Sequence, residues 1–302
     1  METQQQSLPS IDVIIPCYNA ENTLLRAVES VLKQQYVQHL YLVDDGSTDN
    51  TWYIISQLAE AIPKVKALQM PQNSGVAAAR NWAALHSSAD LIAFLDADDA
   101  YQDNALAAPI LSFARFNELA LVRLSLTAVD LDPKYTAYAG KGLEEAWKTL
   151  QMTVGGNMIF RRSIFLAAGG FPTDELFKIY GGEDASLGIA FTEAAVVGVL
   201  FEDKVPGVLH YCRPGMHAER LLNASLFGER DPHIVSLVPQ AEAVTARIVA
   251  QLNQLKTVLN QENLGIIPLY VEYKTTNAEE NTTTDESYAP SPIADTTDEK
   301  HQ

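Results

Sequence analysis

The sequence has few cysteines, few basic residues and no long apolar run. Its two cysteines, Cys17 and Cys212, lie far apart without CxxC spacing, which excludes a zinc site built from cysteines and favours a reducing compartment. Lys and Arg number 21 against 38 Asp and Glu, and the resulting net charge of −17 argues against nucleic acid as a partner. No apolar run approaches the roughly 20 residues that span a bilayer.

The N-terminal residues also lack the basic and apolar segments of a signal peptide. We therefore expect a cytoplasmic protein without a transmembrane segment. Peripheral association with a membrane and homo-oligomerisation both stay open at this point.

Short apolar strands alternate with amphipathic helices over the first hundred residues. The strand patterns fall at 11–15, 40–43, 65–70 and 91–95. This alternation predicts an α/β fold with a mostly parallel, Rossmann-like sheet flanked by helices. Polar segments follow the strands at 16–19, 44–49, 73–75 and 96–99. Because ligands bind at the carboxyl ends of parallel strands, we expect these segments to converge on one site.

The second half of the chain has a looser pattern that ends in an acidic tail. A strand is predicted over 154–160, and a long amphipathic helix over 235–259 that Pro239 could break. The tail, 274–302, contains seven acids and hardly an aliphatic residue, which predicts disorder. The predicted divisions are a catalytic domain over 1–230, a C-terminal helical extension over 231–273 and the disordered tail over 274–302.

Three carboxylates follow the fourth strand in "LDADD". Asp96 and Asp98 are two residues apart, so on an extended segment their side chains point the same way. Such a pair suits Mg²⁺ or Mn²⁺, which bind one or two carboxylates together with substrate phosphates. Asp98 and Asp99 could equally cap the following helix. The stretch alone does not decide between these interpretations.

Two further segments indicate a nucleotide site. In "LVDDGSTDNT", helix capping explains the later polar residues, while Asp44 and Asp45 at the strand end favour contact with a base or a ribose. In "NSGVAAARN", Gly75 allows a ligand to approach a helix N-terminus closely. Arg80, one turn later, would be an ordinary solvated charge in any other context.

The segments "VIIPCYNAENTL", "LVDDGSTDNT", "NSGVAAARN", "AFLDADD" and "GGEDASL", in this order, resemble the inverting family 2 of glycosyltransferases, which have the GT-A fold. The resemblance runs from about Ile11 to about Arg220. It implies a nucleotide-sugar site formed by Pro16, Tyr18, Asp44, Asp45, Asn73, Gly75, Arg80 and Asp96.

The same resemblance implies roles in catalysis and metal binding. Asp96 and Asp98 occupy the DxD positions, with Mn²⁺ or Mg²⁺ as the cofactor. Asp184 corresponds to the catalytic base, beside Glu183. A late histidine often completes the metal site in this family, and the sequence does not choose between His210 and His217.

We therefore expect an enzyme that transfers one sugar from a nucleoside diphosphate sugar, most simply a UDP-sugar, to an acceptor hydroxyl. The acceptor could be a glycan, a lipid-linked molecule or a protein. The QxxRW motif of processive synthases is absent, which favours single transfer. The alternatives are an inactive nucleotide-sugar-binding protein of the same fold and a sugar nucleotidyltransferase, although the latter would require a basic, Gly-rich phosphate loop.

Overall fold

The computed structural model describes residues 7–259 and 265–271, so the predicted disordered tail lies outside the described residues. The strands are β1 Ile11–Cys17, β2 Val37–Asp44, β3 Val65–Gln69, β4 Leu91–Phe94, β5 Ala100–Tyr101, β6 Leu119–Leu124, β7 Leu126–Val129, β8 Met158–Arg161, β9 Val196–Leu200, β10 Val208–Tyr211 and β11 Gly265–Pro268. The helices are α1 Leu24–Leu32, α2 Thr51–Ala61, α3 Val76–His86, α4 Ala107–Arg115, α5 Pro133–Thr136, α6 Leu143–Gln151, α7 Arg162–Ala167, α8 Glu175–Tyr180, α9 Glu183–Ala194, α10 His217–Phe227 and α11 Pro232–Leu259.

Eight strands form the main sheet, in the order β11-β9-β6-β8-β4-β1-β2-β3. Every neighbouring pair is parallel except those of β8, which runs antiparallel to both β4 and β6. A second sheet has the order β5-β10-β7. The predicted α/β architecture with a mostly parallel sheet is confirmed.

Both faces of the main sheet are buried. Along β1, Ile11, Val13 and Ile15 join one apolar cluster, while Ile14 joins the cluster on the opposite face. Successive side chains of a strand point to opposite faces, so a strand that is covered on both sides is largely apolar. This explains the apolar character of β1, in which the buried Asp12 is the exception and accepts a hydrogen bond from the hydroxyl of Ser87 at 2.7 Å.

The antiparallel direction of β8 matters for the site. Ala93 of β4 pairs with Ile159 of β8, so the residues that precede β8 lie at the same edge as those that follow β4. The strand predicted over 154–160 begins only at Met158, because Gly155 and Gly156 form a turn at this edge.

The C-terminal helix α11 is continuous through Pro239. A proline inside a helix costs about 3 kcal/mol, but Val244, Ile248 and Leu252 of α11 are buried in the core, and their burial offsets that cost. The predicted break is therefore absent. Strand β11 pairs with β9, so part of the predicted helical extension belongs to the main sheet. Within the described residues, no helix has the length and apolar character needed to cross a membrane.

Candidate active site

Two cavities at the carboxyl-terminal edge of the main sheet share Asp96. The Asp184 cavity has a volume of about 330 Å³. Its lining includes the predicted site residues Gly75, Arg80, Asp96, Glu183 and Asp184. The Tyr18 cavity has a volume of about 360 Å³. Its lining includes the predicted site residues Pro16, Tyr18, Asp96 and Asp98, together with Arg213. The fold thus brings most of the predicted residues to two adjoining spaces.

Arg80 joins two carboxylates that are distant in the sequence. Its Nη2 donates to Oδ1 of Asp96 at 2.6 Å, and its Nη1 donates to Oε1 of Glu183 at 3.1 Å. The guanidinium carbon also lies 5.0 Å from the centre of the Phe171 ring. Burial alone would lower the pKa of Arg80, but the negative charges of Asp96, Glu183 and Asp184 outweigh it and raise the pKa. Both terminal nitrogens are therefore occupied by carboxylates in this structure.

Glu183 and Asp184 begin helix α9. Gly182, which precedes them, has φ of 96°, a left-handed conformation that glycine adopts without strain. Glu183 is only 5% exposed. Burial and the adjacent charge of Asp184 raise the pKa of Glu183 to about 7, while the nearby Arg80 opposes this rise. This shift favours the protonated form of Glu183 relative to an exposed glutamate.

Asp184 is held by two backbone donors. Its Oδ2 accepts from the N–H of Gly155 at 2.9 Å, and its Oδ1 accepts from the N–H of Ala185 at 2.8 Å. The side chain is partly exposed to the cavity. A carboxylate fixed in this way can accept a proton from a hydroxyl that enters the cavity.

The other two acids of the "DADD" segment have different partners. Oδ2 of Asp98 accepts from Nη2 and Nε of Arg213, at 2.7 and 3.1 Å. Asp99 is buried, and its Oδ2 lies 2.8 Å from Nδ1 of His210. Burial raises the pKa of Asp99 to about 6, opposed by His210. Burial would lower the pKa of His210, but the hydrogen bond and charge of Asp99 raise it.

Within the described residues, no group of three or more His, Cys, Asp or Glu side chains could by itself hold a metal. The donors present fit a cation that takes further ligands from a diphosphate and water, because Asp98 keeps 29% of its side chain exposed. His210 adds to this fit. Its Nδ1 contacts a carboxylate, as in many metal-bound histidines, and its buried Nε2 has no hydrogen-bond partner in the described structure. The side chain of His217 lies outside the described residues.

Asp44, which ends β2, and the following Asp45 support the loops of the site. Oδ1 and Oδ2 of Asp45 accept from the backbone N–H groups of Ser74 and Gly75, at 2.7 and 2.8 Å. Burial raises the pKa of Asp45, and these hydrogen bonds oppose the rise. Asp44 is fully buried, and its Oδ1 accepts from the N–H of Ser47 at 3.2 Å. Asn73, just before Ser74, is exposed.

The sequence interpretation missed a glycine turn and a buried arginine. A Cβ on Gly155 would lie 2.8 Å from Nη1 of Arg80, and a Cβ on Gly156 would lie 2.8 Å from Oδ2 of Asp96. Only glycine fits at such close approaches. The Gly-Gly pair before an apolar strand was the available signal.

Arg123, wholly buried, holds the chain before this turn. Its Nη1 donates to the carbonyl of Val154 at 3.1 Å and to Oδ1 of Asn157 at 3.2 Å. Burial lowers its pKa to about 10, and the charge of Asp184 opposes this shift. Nothing in the local sequence distinguishes Arg123 from an ordinary surface arginine.

A mostly parallel sheet that carries acidic residues and two cavities at its carboxyl-terminal edge defines the class: this is the GT-A glycosyltransferase fold. The chain belongs to glycosyl transferase family 2, whose family model matches residues 12–167, a little over half of the chain. The family and the fold expected from the sequence are both confirmed.

Several curated proteins are similar to this chain. An uncharacterized glycosyltransferase of Haemophilus influenzae is 37% identical over 127 residues, which are 42% of this chain and 50% of that protein. Another, of Rickettsia bellii, is 26% identical over 82% of this chain and 36% of its own length. The Escherichia coli UDP-Glc:alpha-D-GlcNAc-diphosphoundecaprenol beta-1,3-glucosyltransferase WfgD is 39% identical over 32% of this chain and 38% of its own. The chain thus spans half or less of these relatives.

Solved structures show the same fold. Staphylococcus aureus TarS 1-349 in complex with UDP superposes with a TM-score of 0.52 at 19% identity, covering 82% of this chain and 72% of that one. The Pyrobaculum calidifontis mannosyltransferase PcManGT, in complex with GDP-Man and Mn²⁺, gives 0.52 at 19% identity and covers 85% and 77%. At these identities the likeness establishes the fold alone.

Proposed function

We propose that the chain is an inverting glycosyltransferase that moves one sugar from a nucleoside diphosphate sugar to an acceptor hydroxyl. The observation that carries this proposal is the Asp184 cavity, where a partly exposed, backbone-held carboxylate lies in the same space as Asp96. The adjoining Tyr18 cavity offers space for a nucleoside beside that centre.

In the proposed reaction, Asp184 removes the proton from the acceptor hydroxyl. The hydroxyl oxygen bonds to the anomeric carbon as the bond from that carbon to the diphosphate oxygen breaks. A single displacement inverts the anomeric centre, the proton stays on Asp184, and the nucleoside diphosphate leaves with its electron pair. Arg80 forms ion pairs with both Asp96 and Glu183, which reduces the repulsion between these two carboxylates. The same two pairs connect the donor side of the site to its acceptor side.

We assign the nucleoside of the donor to the Tyr18 cavity, against Pro16 and Tyr18, with the diphosphate extending toward Gly75 in the adjoining Asp184 cavity. Asp44 and Asp45 contribute by holding the loops around it. A UDP-sugar is the favoured donor, because a neighbour of this fold is a UDP complex, although another holds GDP-Man. A Mn²⁺ or Mg²⁺ ion, held by Asp98 with Asp96 or His210, would supply positive charge to the diphosphate leaving group.

Replacing Asp184 tests the proposal. We would titrate UDP-glucose, UDP-GlcNAc and GDP-mannose into the wild type, Asp184→Asn and Asp203→Asn by calorimetry with Mn²⁺, and then measure release of nucleoside diphosphate. Donor binding should be equal in all three proteins. Release should fall about 10²–10⁴-fold in Asp184→Asn alone, because only that variant loses the base. Asp203 is the control because it is exposed and lines neither cavity.

The outcomes separate the alternatives. Binding without turnover in the wild type would identify an inactive nucleotide-sugar-binding protein of the same fold. Near-normal turnover in Asp184→Asn would remove Asp184 from the role of base. Formation of a nucleotide sugar from a nucleoside triphosphate and a sugar phosphate would identify a nucleotidyltransferase.

We further propose a cytoplasmic location and a catalytic domain over residues 1–230. Both cysteines are free thiols, which fits a reducing compartment. On this proposal the extension over 231–273 completes the sheet edge and packs α11 onto α9.

A further inference from the structure

A third space, the apolar groove, adjoins the Asp184 cavity. It has a volume of about 520 Å³ and lies between helices α8, α9, α10 and α11. Most of its lining is aliphatic or aromatic, including Leu176, Ile189, Leu221, Ile234, Leu237 and Val238. Ile189 and Val238 remain 47% and 45% exposed, so the chain leaves apolar surface open to solvent within this groove.

The groove and the Asp184 cavity share part of their walls. Phe177, Gly181, Gly182 and Asp184 line both of them. The carboxylate of Asp184 therefore stands where the apolar groove meets the polar cavity. A molecule that extends along the groove reaches this carboxylate with one end.

The structure of α9 explains how the groove arises. Leu187 and Phe191 of α9 are buried against the main sheet, whereas Ile189 is directed to the groove. A helix that is apolar on both sides is normally buried on both sides. In the wall of the groove, the hydroxyls of Ser186 and Thr245 bond to each other at 2.7 Å, so these two groups already satisfy one another. Covering these hydroxyls with an apolar ligand therefore costs little binding free energy.

We propose that the apolar groove binds the hydrocarbon part of the acceptor. The acceptor is then an amphiphile whose sugar head presents a hydroxyl to Asp184 while a single alkyl-type chain lies between α9 and α11. This inference rests on the proposed function, because it assigns Asp184 to the acceptor. The segment 272–302 is a poor occupant, because it is acidic and contains hardly an aliphatic residue.

Alkyl glycosides test the proposal by their chain length. We would titrate methyl, octyl and decyl β-D-glucoside, each below its micelle-forming concentration, into the full chain by calorimetry. The methyl compound should bind weakly. Each two added methylenes should tighten binding about tenfold until the groove is filled, because each buried CH₂ contributes a nearly constant amount.

Two pairs of variants locate the chain in the groove. Val238→Asp and Ile189→Asp each place a carboxylate in the lining and should weaken the binding of decyl glucoside at least tenfold. Val235→Asp and Ile179→Asp are the matched controls, because these residues are 48% and 61% exposed, lie on α11 and α8, and are outside the lining. The controls should change binding less than twofold. Circular dichroism melting would verify that all four variants fold, and the two pairs give independent results.

The position of the head group needs a separate measurement. Asp184→Ala should weaken decyl glucoside about tenfold and leave its fully O-methylated analogue unchanged, because only the free hydroxyls can donate to the carboxylate. Equal effects on both compounds would place the head elsewhere and overturn the proposal.

Other outcomes are equally decisive. Equal binding of the methyl and decyl compounds, or equal effects of Val235→Asp and Val238→Asp, would overturn the groove proposal. Self-association by analytical ultracentrifugation that Val238→Asp abolishes, without binding of decyl glucoside, would show that a second copy of the chain covers the groove. UDP binding with Mn²⁺ is measured in parallel. Its absence in the wild type would count against the proposed function, separately from the groove.

Discussion

Glu183→Gln tests the electrostatics of the site most directly, because it removes a buried charge while keeping the shape of the side chain. Burial and Asp184 raise the pKa of Glu183 from 4.5 to about 7, against the opposing effect of Arg80. Between these values the folded chain holds a proton that the unfolded chain has released. The free energy of unfolding must therefore fall as the pH rises from about 4.5 to about 7.

The size of this effect follows from the two pKa values. Between pH 5 and pH 8 the linkage relation gives a loss of roughly 2–3 kcal/mol from Glu183 alone. In Glu183→Gln this contribution disappears, so its free energy of unfolding should depend less on pH by about that amount. Glu193→Gln is the matched control, since Glu193 lies on the same helix and is exposed.

The assay is urea unfolding of the wild type and both variants at pH 5 and pH 8, followed by circular dichroism. The wild type and Glu193→Gln should lose the same amount of stability between the two conditions, and Glu183→Gln should lose roughly 2–3 kcal/mol less. Identical pH dependence in all three proteins would refute the assignment of a raised pKa to Glu183. Equal m-values would confirm that the three proteins expose the same surface on unfolding, so that the differences between them are differences in stability.

Asp98→Ala should abolish the Mn²⁺-dependent part of donor binding in calorimetry, with Asp203→Ala as the control. It should change the free energy of unfolding by less than about 1 kcal/mol, because its pair with Arg213 is partly exposed. Unchanged dependence on Mn²⁺ would remove Asp98 from the metal site. Gly188→Ala should destabilise the chain by about 1–3 kcal/mol in urea unfolding, because the added methyl would overlap Nη2 of Arg123. If that overlap is the cause, the double variant with Arg123→Met should lose less than the sum of the single variants, and strict additivity would contradict it.

Local pattern was enough to predict the first half of the fold. The helix predicted at Val76–His86 has those bounds in the structure, and β1, β2, β3 and β4 begin within a few residues of their apolar runs. In this region the strands are mostly apolar, and a polar segment follows each of them directly. To predict that the polar segments converge, it was then enough to know that the carboxyl ends of parallel strands lie at one edge of the sheet.

The second half of the fold was harder to predict, because its structure depends on contacts between residues that are distant in the sequence. The antiparallel direction of β8 is set by its partners β4 and β6, and nothing within residues 158–161 encodes it. Helices α6, α8 and α10 were missed, because they are short or contain many polar residues and depend on tertiary packing.

The side-chain partners in the site were equally beyond local pattern. Arg80 was expected to contact the nucleotide, but its carboxylate partners lie 16 and 103 residues away in the sequence. Spacing within "DADD" grouped Asp96 with Asp98. In the structure they contact different arginines, Arg80 and Arg213.

Because β8 runs antiparallel, the residues assigned to donor binding and those assigned to the acceptor come from separate stretches of the chain. Everything assigned to the donor precedes residue 100 except Arg213 and His210, whereas Asp184, its Gly155 donor and the groove all come after residue 149. A gene segment encoding the later stretch could therefore diverge under selection for new acceptors while the earlier stretch kept the same activated sugar. At the Asp184 cavity, Arg80 bonds across this boundary to Glu183, so such divergence would have to retain a carboxylate at that position.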